Sequence, residues 1–397
     1  MQEPFNNPNN QNYQGGYYPP QYQTNPYNQN QGVNYQQTGY PPYNQPPYSY
    51  TQQPYQPNPY ANAYSHPFDP KEAERSREIY LKRKKEKNEI LKLGFAIGIV
   101  LVCYLIVQLI AVSVMTVLGL TDVYSSSATF QYCFNVVAVH LLSLVIPFGI
   151  LSLIMKNKYD GPVVPTKKVG FFNSCVWISF GMGCCIIANY ATNIIINLFK
   201  MAGYELSQSN MLEPDGIFSC IAMVIATAII PGVCEEFAMR CCTLGLLKKH
   251  GKAFGVIAVS VVFGLIHGNV IQFVFAFLVG LVLAFITVKT DSVVPAMFIH
   301  TFNNGLSVTQ DIIKYAAGEK TAENVVVVMF IVWGVLAIAS LVYLVIKKQF
   351  TFADNKEKKE KDGSELSLGT KLVMLLPGFA VPFILLIIET ATTVTKI

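Results

Sequence analysis

The chain has 397 residues, of which 52% are hydrophobic and only 13% charged, against roughly 25% charged in ordinary soluble domains. This excludes a soluble enzyme, because globular cores of roughly 150 residues each cannot hide so much apolar surface. Nor does the net charge of +5 mark a nucleic-acid binder: 9 of the 29 basic residues fall between Lys71 and Lys92, directly before an apolar run, where they suit anionic lipid and set orientation.

Residues 1–68 hold 13 Pro, 13 Tyr, 13 Gln and 12 Asn, with no Lys, Arg, Leu or Ile. Such a segment cannot bury enough apolar surface to offset its chain entropy, so a disordered cytosolic tail is expected. Its composition suits weak multivalent contacts, and equally a spacer. From Asp69 to Lys92 the charges recur at helical spacing behind an Asp-Pro start signal, which predicts a basic juxtamembrane helix. Residues 93–397 are expected to form the transmembrane domain.

Apolar runs follow near 93–119, 128–155, 170–199, 216–247, 253–267, 270–288, 293–313, 324–346 and 372–391. Most are long enough to cross a hydrocarbon core of about 30 Å. The expected fold is therefore an all-α polytopic membrane protein of about eight or nine transmembrane helices. With the amino terminus in the cytosol, 24 of the 29 Lys and Arg lie on the inner side and four outside: Lys200, Lys314, Lys320 and Lys396. That asymmetry fits nine crossings. The nine cysteines all fall in apolar segments without CxxC pairs and read as packing residues.

Ionisable groups within a span are costly unless paired or hydrated, and each is a functional candidate. The fourth run carries Glu235, Glu236 and Arg240. Glu236 and Arg240, four apart, share a helix face, whereas Glu235 is turned about 100° away and lacks a counter-ion on its own helix. A buried ion cluster would account for Glu236 and Arg240 but not for the second carboxylate, which is placed to accept and return protons. Pro231-Gly232 upstream is expected to loosen the helix and free a carbonyl.

His267 closes the fifth run, and His300 and Asn304, four apart, share a face of the seventh. Counted from the basic ends at 1.5 Å per residue, Glu235, His267 and His300 all lie roughly 16–23 Å deep. His140, without such company, reads as a helix–helix hydrogen bond. A glutamate backed by a histidine can deprotonate water, while a histidine and an amide can stabilise the oxyanion of a peptide carbonyl. Two His and a carboxylate also make a zinc set, although HExxH spacing is absent. A cysteine nucleophile lacks an evident base.

Together, Glu235-Glu236-x-x-x-Arg240, Phe263-x-x-x-His267 and His300-x-x-x-Asn304, in this order on successive spans, resemble the CPBP family of CAAX prenyl endopeptidases and bacteriocin-processing or immunity membrane proteins. The likeness covers about residues 215–306 and sets the protease-like core at about 170–313. It implies an intramembrane endopeptidase of glutamate type in which Glu235 and His267 activate water, His300 and Asn304 form the oxyanion site, and Glu236 and Arg240 support them. Met239 and Cys241 depart from the usual aromatic and small residue flanking the Arg. No cofactor is expected, with a divalent metal such as zinc kept as an alternative.

The implied partners are a peptide or membrane-protein substrate and the lipid bilayer, with no nucleic acid. The implied location is a bacterial cell membrane, with the chamber open toward the cytosol or laterally to lipid. The rival reading is a catalytically silent binding or bacteriocin-immunity protein using the same cavity. A transporter is a weaker third, since no inverted repeat of the polar motifs is visible.

Overall fold

The computed structural model describes residues 69–159, 161–206, 211–350 and 364–396. The disorder and multivalent contacts expected of residues 1–68 lie outside them. Asp69 opens the first helix: its Oδ1 accepts the Lys71 N–H at 2.9 Å and Pro70 occupies the first turn, where a missing N–H costs nothing. The helix then runs unbroken from Pro70 to Val117 (α1), so the juxtamembrane segment and the first span are one rod. No Pro interrupts it, and basic and apolar residues alike favour helix.

Besides the short helical turns Thr121–Ser126 and Lys156–Lys158, eight further helices follow among the described residues. They are α2 (Ala128–Ile154), α3 (Phe171–Met201), α4 (Ile217–Lys248), α5 (Lys252–Leu265), α6 (Val270–Thr290), α7 (Val294–Ala317), α8 (Glu319–Ile346) and α9 (Leu368–Thr393). The protein is an all-α polytopic membrane protein. Seven of the nine are long and apolar enough to cross a bilayer; the exceptions are α5, with 14 residues, and α7, diluted by polar side chains. His267 lies two residues past the end of α5, and α7 carries His300 and Asn304. The turn between α5 and α6 takes little chain because Gly268 adopts φ +76° and Asn269 caps α6, its Oδ1 accepting the Gln272 N–H at 2.9 Å, a conformation glycine reaches without steric cost.

Cross-ties define two faces. On the basic face, Lys371 Nζ pairs with Glu86 at 2.9 Å and donates to the His250 carbonyl at 2.6 Å, while Val293 N–H donates to the Pro165 carbonyl at 2.8 Å. On the opposite face, β1 (Tyr204–Leu206) after α3 pairs antiparallel with β2 (Val394–Lys396) after α9, and Lys314 pairs with Glu213 at 2.9 Å. The helices joined by these ties thus alternate in direction.

Two large packed clusters and a smaller one around Tyr132 and Met223 form the body. Of the large ones, one joins α1, α2, α4, α5 and α9 through residues such as Ile97, Phe148, Met239, Leu246, Phe254 and Phe379; the other joins α3, α6, α7 and α8 through Trp177, Met182, Leu283 and Ile299. Residues such as Ile99, Leu109, Ile187, Val332 and Ile387 stay exposed on the rim and suit lipid. Lipid tails are as apolar as these side chains, so helix association rests on close packing and polar contacts. Accordingly Gly94 and Gly98 of α1 meet Gly378 of α9 backbone to backbone.

Candidate active site

The fourth helix is irregular where the chemistry sits. Residues Val224–Ile229 and Phe237–Thr243 are π-helical and flank a regular stretch, Ile230–Glu236; wide turns of this kind often mark functional positions. Pro231 has no N–H, so the Thr227 carbonyl four residues earlier loses its α-helical donor. Asn304 Nδ2 donates to that carbonyl at 3.1 Å. The expected loosening is therefore a change of pitch, and the freed carbonyl anchors a side chain of α7. Gly232 lets the helices meet: a Cβ there would collide with Thr301.

Buried Glu236 and Arg240 form the base of the site. Glu236 Oε2 lies 3.0 Å from Arg240 Nε, and Glu236 Oε1 lies 2.9 Å from His300 Nδ1. Arg240 also sits 4.8 Å from the centroid of the Phe263 ring, a cation–π contact, and its Nη2 donates to the Gly280 carbonyl at 3.5 Å. One carboxylate thus holds both the guanidinium and the imidazole of a neighbouring helix. Met239 and Cys241, the two departures from the family pattern, are fully buried beside Arg240 and serve packing.

Glu235 stands above this base in a different environment. Its Oε1 lies 3.5 Å from His140 Nε2 and its Oε2 lies 3.8 Å from His300 Nε2. Both are ion-pair distances too long for good hydrogen bonds, and the buried Oε2 has no hydrogen-bond partner among the described residues. The carboxylate is held in the field of two imidazoles while keeping a lone pair free. Both imidazoles come from other helices, α2 and α7, and neither is a counter-ion on its own helix. His267 Nδ1 lies 2.8 Å from the Phe263 carbonyl; only the protonated nitrogen can bond there, so Nε2 is left as the acceptor.

Glu235, His267, His300 and Asn304 all line one cavity of about 460 Å³, together with His140, Gln108, Thr227 and Gln272. Glu236 and Arg240 lie beneath it. His140 was missed because it was weighed as a lone histidine. The depth count applied to it, 16 residues from Lys156, gives about 24 Å, the level of the others, and its π-helical segment Val136–Val145 was not legible. Among the described residues, no group of three or more His, Cys, Asp or Glu is arranged to hold a metal ion.

The comparison with known families bears on the same stretch. Residues 217–306 match the Rce1-like family model. Its description is Type II CAAX prenyl endopeptidase Rce1-like, a CPBP-type intramembrane protease family. The match begins with α4 and ends two residues past Asn304, taking in Glu235, Glu236, Arg240, His267, His300 and Asn304 but not His140. No curated protein and no solved structure matches the chain. The likeness is to that segment alone, and α1–α3, α8 and α9 lie outside it.

Proposed function

We propose that this protein is an intramembrane endopeptidase that hydrolyses a peptide bond with a water activated by Glu235, without a covalent intermediate. The observation that carries this reading is Glu235 itself: a buried carboxylate with an unpartnered oxygen, on a cavity wall shared with His267, His300 and Asn304. Glu236 also has an oxygen without a hydrogen bond, but it meets Arg240 at 3.0 Å and His300 at 2.9 Å and does not line the cavity, whereas the ion-pair contacts of Glu235 are at 3.5 and 3.8 Å.

Water bound between Glu235 and the accepting Nε2 of His267 gives its proton to Glu235 as its oxygen attacks the peptide carbonyl carbon. The amide of Asn304, fixed by Thr227, faces the oxygen on which negative charge develops; His300, whose Nδ1–H is held by Glu236, can donate to that oxygen from Nε2 only in its doubly protonated form. Donors set in advance are the most effective way to lower such a barrier. Collapse of the tetrahedral species breaks the C–N bond, and the proton passes from Glu235 to the leaving nitrogen, so one water yields one carboxylic acid and one amine. The Glu236–Arg240 pair takes no part in the transfer but keeps His300 in register.

The protein purified in liposomes, after treatment with a chelator, is expected to cleave members of a random-sequence peptide pool read by mass spectrometry. Full loss of cleavage on chelation, restored by zinc, would replace the glutamate mechanism with a metal one.

A further inference from the structure

The cavity that holds Glu235 is not centred between the two faces. On the basic side the lining goes no further than Val279 and His300, ten and eleven residues from Lys289, about 15–17 Å. In the other direction the lining reaches Gln272, two residues into α6, and Met211, in the segment beyond α3 on the opposite face. Toward the basic face the path is filled: Arg240 packs on Phe263, and residues 238–247 of α4 are all buried.

A second cavity of about 590 Å³ continues the first on this same far side, sharing Gln272, Phe275, Asn303 and Asn304 with it. Asn189 and Asn193 of α3 and Ser307 and Gln310 of α7 extend it, and it has no ionisable side chain apart from Cys185 in its lining. Side chains four apart on a helix rise by about 6 Å, close to the roughly 6.6 Å that two residues of an extended strand cover. Amides both donate and accept, so this lining suits the alternating N–H and C=O groups of an extended backbone. Lacking any cation to hold a terminal carboxylate, it suits an internal stretch of chain.

We propose that the chamber opens on the face opposite the basic helix ends, and that an extended internal segment of a polypeptide enters from there along the trough between α3 and α7. With 20 of the 25 basic residues among the described ones on the other side of the spans, the positive-inside rule makes the open face the exterior. The substrates would then be exported or surface-exposed chains, not cytosolic carboxyl termini. The substrate part rests on the proteolytic reading above; the direction of opening does not.

The test uses the full chain in intact cells. A membrane-impermeant maleimide should label Ser307→Cys above the parent's background without permeabilisation, and Lys168→Cys only after it. The reverse order, or a Ser307→Cys that never labels, overturns the proposal. A reporter carrying a segment cleaved in wild-type cells should be cut when the segment is displayed outside and left intact when it is cytosolic; cutting only of the cytosolic form overturns it. Gln310→Leu should raise KM for that reporter about fivefold or more with kcat within about twofold, and an unchanged KM removes the trough. If Glu235→Gln cuts the reporter as fast as wild type, the proteolytic reading fails while the labelling still decides the opening.

Discussion

Glu235→Gln should lower kcat/KM for peptide cleavage by about 10²–10⁴, the range for a lost general base, while membrane yield and thermal midpoint stay close to wild type. Gln has nearly the same shape, and Glu235 has no close hydrogen bond to lose: its nearest polar neighbours are at 3.5 and 3.8 Å. Glu236→Gln should behave differently. The amide oxygen can still accept from His300 Nδ1, which Glu236 meets at 2.9 Å, so activity falls less, but the variant leaves Arg240 uncompensated and is less stable. Steady-state kinetics and melting of both variants separate the roles of two adjacent glutamates. Equal loss of activity with equal loss of stability in both would make the pair one structural unit.

Arg240→Leu should cost about 3–5 kcal/mol, the usual result of stripping a buried charge of its partner. Glu236 has no solvent exposure and Arg240 only 1%, so the orphaned carboxylate cannot recover its hydration. At about 2 °C per kcal/mol for a protein of this size, the midpoint in detergent should fall by about 6–10 °C. Removing both charges as Glu236→Gln with Arg240→Met should recover most of that loss, because a paired replacement leaves no isolated charge. Activity should not recover to the same degree, since His300 would then be held by a neutral amide. A double variant as unstable as Arg240→Leu would show that the guanidinium matters through Phe263 and Gly280 instead.

The site was legible to the extent that its residues are anomalous in their surroundings. Glu235, Glu236 and Arg240 stand out because charge in an apolar run is expensive, and His267, His300 and Asn304 because three spans deliver polar groups to one depth. His140 escaped because a single neutral-capable ring in an otherwise apolar helix is ordinary, and its partner lies on another helix. The amide trough escaped for a related reason: Asn189, Asn193 and Gln310 carry no charge, and what they line depends on how α3 meets α7. Depth along a helix follows from counting residues, but which end of a chamber is closed depends on side-chain packing. Here closure comes from Arg240 against Phe263 and from the buried run of α4. The expectation is a chamber open toward the cytosol or laterally to lipid; the proposal of an outward opening rests instead on a lining that extends away from the basic face.

The central claim, that this membrane bundle cuts peptide bonds through Glu235, is tested most directly by profiling new peptide amino termini in membranes of cells carrying wild type or Glu235→Ala at matched levels. The account predicts a set of termini present with wild type and absent with the variant, arising from outward-facing segments. Identical profiles across growth conditions, with the deletion phenotype fully rescued by Glu235→Ala, would contradict it and leave a binding protein that uses the same cavity without chemistry.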